Sequence, residues 1–143
     1  VAKYTKDDLI TKAEELATMI AETEEVDFFK KAEAKIHENQ RVRELIASLK
    51  SLQKQSINFE HYGKEKAFKQ VQDKIEAIES TINEIPVVQQ FKQTQIEVNE
   101  LLQLVSSAVS NKVSDIIVES TGGNILRGET GSQVKNQSQN SCS

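Results

Sequence analysis

The chain has 143 residues and a formal charge of −4, from 18 Lys+Arg against 22 Asp+Glu. A hydrophobic share of 37% and an aromatic share of 5%, without Trp, fit one small domain with a lean core and exclude a membrane protein or a disulfide scaffold. A single Cys rules out an internal disulfide and any self-contained Cys₄ or Cys₂His₂ zinc site, and the acidic balance speaks against a dedicated nucleic-acid binder.

Helix breakers are rare before residue 121: Gly63 is the only Gly there, and Pro86 is the only Pro in the chain. That scarcity, without strand alternation, predicts an all-α fold. We expect an elongated antiparallel bundle of four to five helices over 1–120, with a long C-terminal helix. Residues 121–143, rich in Gly, Ser, Asn and Gln, read as a flexible and mostly disordered tail.

The first helix opens on Thr5 as N-cap with Asp8 three residues on, a capping box with Asp in the Glu position. Its expected core stripe is Leu9, Ile10, Ala13, Leu16, Ala17 and Ile20. A second helix follows Thr23, with Val26, Phe29, Ala32 and Ile36 inward, and Asn39-Gln40 is the joint to a third. The third carries Val42, Leu45, Ile46, Leu49 and Leu52 and reaches about Tyr62, where Gly63 ends or bends it. In the fourth, Phe68, Val71, Ile75, Ile78 and Ile82 alternate steps of three and four, the seam of a coiled-coil-like hairpin arm.

The last helix differs in kind. Pro86 suits its first turn, and from there to about Glu119 the charges are only Lys92, Glu97, Glu100, Lys112, Asp115 and Glu119. Leu101, Leu102, Leu104, Val105, Ala108 and Val109 wrap most of the circumference, so this helix needs neighbours on several sides. A strand at Ile116-Ile117-Val118 would have no second strand to pair with. At ~1.5 Å per residue the helix runs roughly 50 Å, whereas a compact ball of this chain is about 35 Å across. Either it kinks at Ser106-Ser107 or Ser110-Asn111, or a second subunit covers it. We favour a homodimer or tetramer, with Val98, Leu101, Leu102, Val105 and Val109 as the interaction surface.

No cationic-then-apolar leader opens the sequence, and the Val start suggests a trimmed N-terminus. The longest charge-free apolar region, 101–111, falls short of the ~20 residues that span a bilayer. Without membrane insertion, a cytoplasmic address is expected.

Catalytic motifs are wanting. The stretch Gly123-Asn124-Ile125-Leu126-Arg127-Gly128-Glu129-Thr130 has the glycines and Thr of a phosphate-binding loop, but Glu129 stands where the Lys belongs and would repel phosphate. His37 and His61 lie in different elements and form no metal or triad pattern. Glu14-Glu15 and Glu24-Glu25 splay apart on a helix and read as solvated faces. Of Phe28-Phe29, one must lie near the surface. We expect no catalytic residue, and a protein that is not an enzyme. Cys142 has two readings: an exposed thiol of no consequence, or one ligand of a metal centre completed by other chains, since an Fe–S cluster takes four thiolates.

Several segments resemble the YmcA branch of the YlbF/YmcA family of bacterial regulators. They are Glu22-Thr23-Glu24-Glu25-Val26-Asp27-Phe28-Phe29-Lys30, Glu84-Ile85-Pro86-Val87-Val88-Gln89-Gln90-Phe91, and Glu97-Val98-Asn99-Glu100-Leu101-Leu102-Gln103-Leu104-Val105. To these add Ser120-Thr121-Gly122-Gly123, Gly128-Glu129-Thr130-Gly131-Ser132 and Asn140-Ser141-Cys142-Ser143. The resemblance implies an all-helical, self-associating protein that assembles with a YlbF-like paralogue and a YaaT-like protein in Firmicutes. It further implies a role with RNase Y in mRNA processing, affecting sporulation, competence and biofilm formation. A [4Fe–4S] cluster shared among subunits is also implied, toward which this chain could offer only Cys142.

The leading reading is therefore a non-catalytic adaptor subunit. One alternative is a factor acting on the sporulation phosphorelay. Another is direct RNA binding through Lys30, Lys31, Lys35, Arg41, Arg43, Lys50 and Lys54, although Glu25, Asp27, Glu33, Glu38 and Glu44 are interleaved with that run. Direct nucleic-acid contact is accordingly not expected.

Overall fold

The computed structural model describes residues 2–140, with side chains through Lys135. The architecture is all-α: α1 (Lys6–Ala21), α2 (Glu24–Glu38), α3 (Gln40–His61), α4 (Glu65–Glu84), α5 (Pro86–Ser120) and α6 (Gly131–Asn140), with no strand among the described residues. Two compact units divide the chain, Val1–Val98 and Asn99–Ser143, and α5 supplies residues to both.

Local chemistry sets the ends of each helix in the first unit. The Thr5–Asp8 capping box forms: the Thr5 N–H donates to Asp8 Oδ2 at 2.8 Å and the Asp8 N–H to Thr5 Oγ1 at 3.3 Å. Asn39 closes α2 and opens α3, its Oδ1 accepting from the Val42 N–H at 3.0 Å. Gly63, at φ 66°, ends α3 outright. The Lys64 N–H reaches Phe59 O at 2.9 Å and the Gly63 N–H reaches Glu60 O at 3.2 Å, the paired bonds of a Schellman cap. Pro86 is the first residue of α5.

The best-packed part of this unit is the antiparallel α3–α4 hairpin. Val71 and Ile75 of α4 are buried, while Phe68, Ile78 and Ile82 are half-buried, as the three-four spacing predicts. Val42 of α3 is 1% exposed, the most completely enclosed large side chain in the core. One polar contact bridges the two helices: exposed Gln72 donates from Nε2 to the buried Ser56 Oγ at 2.7 Å, so the buried hydroxyl is not left unpaired. On α2, Ala32 is buried and Val26, Phe29 and Ile36 are half-buried. Phe29 meets Phe91 of α5 with ring centroids 5.2 Å apart, whereas Phe28 stays 45% exposed.

The expectation for α1 is overturned. No residue of that helix is buried, and of the six expected core positions only Leu16 and Ile20 are even half-buried. Leu9 is 64% and Ile10 is 56% exposed. The stripe exists as the spacing dictates, but the chain offers too few facing residues to cover it.

In the second unit, α5 runs helical through Ser106-Ser107 and Ser110-Asn111 without interruption, and Ile116-Ile117-Val118 is helix rather than strand. The following segment, read from composition as a mostly disordered tail, carries regular local structure over 121–140. The Gly123 N–H returns to Val118 O at 2.8 Å and the Gly122 N–H to Glu119 O at 3.1 Å, a second Schellman cap. Asn124 and Glu129 exchange backbone hydrogen bonds around a 3₁₀ turn, Ile125–Arg127. Thr130 then precedes α6, its N–H bound to Gln133 Oε1 at 2.8 Å.

Two glycines in this segment are there because nothing larger fits. A Cβ on Gly131 would lie 1.6 Å from Thr121 O, and one on Gly123 would lie 2.0 Å from Glu129 O. At these two positions the backbone uses glycine for close approach. The same contacts dispose of the phosphate-loop likeness, since the segment folds as a closed turn after a helix rather than after a strand.

Candidate protein interaction surface

The five residues expected to form an interaction surface lie on α5 at spacings that hold them within one face: Val98, Leu101, Leu102, Val105 and Val109. Val98 belongs to the first unit, and the other four to the second. Leu102 is 46% and Val109 is 53% exposed; Val98, Leu101 and Val105 are half-buried. Helical register carries the same face onward to Val113 and Ile116, both about half exposed. Sequence reasoning stopped at Val109 because Lys112 and Asp115 interrupt the apolar run. The three-four step to Val113 and Ile116 was the signal available.

Charge is sparse along this face, with no ionisable group from Leu101 to Asn111. A row of aliphatic side chains on a continuous helix, without competing charge, suits packing against another helix. On the other side of the same helix end, Val118 is 7% exposed. The adjoining cap is tied by the Gly131 N–H donating to Thr121 Oγ1 at 2.9 Å. The two sides are thus chemically different, one closed by its own unit and one open.

A second feature, which sequence reasoning missed, is a groove of about 490 Å³ in the first unit between α2 and the N-terminal part of α5. Ala32 and Thr94 are its buried floor, and Phe28, Lys31, Lys35 and Glu97 stand along it. Thr94 Oγ1 donates to Phe91 O at 2.6 Å, so its hydroxyl is satisfied within its own helix. Small residues at adjoining inward positions of two helices, beside an outward Phe, were the available sign.

Nothing catalytic gathers among the candidates. His37 lies 3.5 Å from Glu33 on its own helix, and His61 stacks edge-on against Tyr62 with centroids 5.2 Å apart. The basic run is partly neutralised locally, Lys31 pairing with Asp27 at 2.8 Å. That hydrogen bond, and then the Asp27 charge, holds the Lys31 ammonium above its ordinary pKa. Asp8 is held below the usual carboxylate value, first by the Thr5 N–H and then by the Thr5 hydroxyl. Among the described residues no group of three or more His, Cys, Asp or Glu is placed to hold a metal ion, and no helix is long and apolar enough to cross a membrane. Cys142 lies outside the described residues.

Comparison with known proteins gives this surface its context. Residues 9–114 match the family described as "Control of competence regulator ComK, YlbF/YmcA". The chain is 54% identical over 140 residues to the uncharacterized protein YmcA of Bacillus subtilis (strain 168), covering 98% of this chain and 97% of that one. Its fold is similar to a chain in the X-ray crystal structure of Bacillus subtilis RicA in complex with RicF. There the TM-score is 0.71 at 21% identity, over 79% of this chain and 99% of that one. A family match across most of the helical body, together with close likeness to YmcA from end to end, places the chain in the YlbF/YmcA family of competence regulators.

Proposed function

We propose that the protein is a non-catalytic regulatory adaptor whose work is done by docking. The observation that carries this reading is the open aliphatic face of α5, from Leu101 and Leu102 through Val105 and Val109 to Ile116. Exposed apolar rows of this length mark surfaces that another protein covers. The fold neighbour was crystallised as a RicA–RicF complex, which supports a protein partner for this chain.

On this reading the chain self-associates and assembles with a YlbF-like paralogue and a YaaT-like protein, away from any bilayer and in the cytoplasm. The assembly modulates RNase Y-dependent mRNA processing, with effects on biofilm formation, competence and sporulation. Family membership supports the link to competence regulation; the nuclease link is the finer part of the proposal.

A [4Fe–4S] cluster does not fit this chain alone. The cluster takes four thiolates and the sequence holds one Cys, with no clustered His or carboxylates among the described residues to make up the set. Shared ligation through Cys142 is the form compatible with the composition. Anaerobic co-expression with both partners tests it: the visible absorbance of an Fe–S centre should weaken in Cys142→Ser, and an unchanged spectrum would remove Cys142 from the ligand set.

The adaptor reading is tested by affinity capture from the native bacterium under anaerobic, reducing conditions. Wild type should retain a YlbF-like protein, a YaaT-like protein or RNase Y, and the pair Leu102→Asp/Val109→Asp should lose them while keeping its helicity. Capture of none by wild type would overturn the reading.

A further inference from the structure

The outer face of α3 carries a charge pattern that the linear sequence hides. Along the chain, Arg43, Lys50 and Lys54 belong to a basic run interleaved with acids. Of those acids, Glu25, Asp27, Glu33 and Glu38 lie in α2, and only Glu44 shares α3 with the three cations. Arg43, Ala47, Lys50, Lys54, Ile57 and His61 follow steps of four and three, which align them on one face of the helix, and all six are exposed. Leu45, Leu52 and Ser56, buried or half-buried, occupy the opposite side. The two acids of α3, Glu44 and Glu60, each fall one position out of step with the row, toward a flank; Glu44 accepts from Gln40 Nε2 at 2.9 Å. Among the described residues none of the three cations is ion-paired, in contrast to Lys12 with Glu15 and Lys31 with Asp27.

We propose that this row seats the phosphate backbone of a single-stranded nucleic acid, with Tyr62 as a stacking platform at its end. From Arg43 to His61 the row extends roughly 27 Å, enough for several nucleotides. Its cations engage phosphates by charge and counterion release, which requires no burial. Tyr62 is 73% exposed and meets His61 edge-on with centroids 5.2 Å apart, so its ring is steadied beside the row and open to a base. A partner helix fits this face less well, since it needs apolar anchors and the row offers only Ala47 and Ile57. The net charge of −4 opposes a polyanion, so the contact is weak for one copy and gains from an assembly that presents several. This seat is on a different helix from the docking face and adds a ligand to the adaptor role without depending on it.

Fluorescence anisotropy of a labelled, unstructured single-stranded RNA of about 20 nucleotides, titrated with the full chain, tests the seat. Wild type should bind with a Kd on the order of 10⁻⁵ M at low salt. The logarithm of its binding constant should fall against log salt with a slope of about −2, for three phosphates neutralised. Lys50→Gln/Lys54→Gln should weaken binding about tenfold and flatten that slope. Tyr62→Ala should also weaken it about tenfold, but with the slope unchanged. The same exchange on α2, Lys30→Gln/Lys35→Gln, should cost less than about threefold. All five residues are exposed, so each variant should keep its helicity. No anisotropy change at about 0.5 mM protein in low salt, or equal losses from the α2 and α3 pairs, would overturn the proposal. So would Tyr62→Ala binding like wild type while polyglutamate competes as well as RNA, which would assign the row to an acidic protein. Capture of partner proteins by Lys50→Gln/Lys54→Gln should match wild type, so failure of this seat and failure of the docking face are read separately.

Discussion

The α3–α4 hairpin and α1 carry the same kind of pattern and meet opposite fates. Both have aliphatic residues at three- and four-residue steps. In the hairpin Val71 and Ile75 are buried, facing a neighbour set antiparallel by a tight Schellman turn. In α1 none of the equivalent residues is buried, and only Leu16 and Ile20 are half-buried. The turn between α1 and α2 is as short and as well bonded, with the Glu22 N–H on Met19 O at 3.1 Å and the Thr23 hydroxyl on Ile20 O at 2.7 Å. What differs is what lies opposite. The hairpin pairs two helices of 22 and 20 residues along a common seam, whereas α1 meets the 15-residue α2, which turns Phe29 and Ala32 toward other elements. A stripe predicts that something will cover it; the covering surface belongs to the tertiary or quaternary structure.

That contrast can be broken by mutation, and the largest effect should fall in the hairpin. Ile75→Ala removes a buried branched side chain and should cost about 2–5 kcal/mol in urea unfolding followed by circular dichroism. The same truncation at exposed Leu9, in protein dilute enough to be monomeric, should stay within about 0.5 kcal/mol. Equal losses at the two sites would mean that α1 is covered within its own chain.

A step smaller is Gly131→Ala, whose Cβ would press on Thr121 O. It should open the closed turn by about 1–3 kcal/mol, seen as faster amide exchange of Asn124 and Glu129, with the hairpin amides unchanged. Exchange unaltered in the turn would contradict the close approach. Asn39→Ala, which strips the Val42 N–H of its cap, should cost about 1 kcal/mol.

The smallest effect is a pH dependence confined to α1. Because Asp8 titrates below its ordinary 3.8 when folded, its capping contribution is present above that value. It fades as pH falls through the lowered folded value. Acid titration by NMR should show the Thr5 and Asp8 amides losing protection in that window, and Asp8→Asn should abolish the step.

Much of the fold is legible in the residues themselves. Thr5, Asn39, Gly63 and Pro86 mark helix ends by capping and steric rules that act within a turn of the chain, and the α4 seam follows from periodicity alone. The aliphatic run of α5 was likewise readable as helix, because its apolar residues recur at helical spacing without charge. The α2–α5 groove was not: Ala32 and Thr94 are unremarkable until two helices distant in sequence cross. The close approaches at Gly123 and Gly131 were hidden for a related reason. Glycine is favoured both by disorder and by tight packing, and composition cannot separate them; only the positions of Thr121 O and Glu129 O do.

The sequence by itself determined which residues form helices, where the helices stop, and that α1 and α5 bear apolar faces, since these rest on backbone sterics and short-range hydrogen bonding. Tertiary structure alone decided which of those faces the chain hides and which it leaves exposed. Burial depends on surfaces brought together from far along the chain, and their meeting is written in no local pattern.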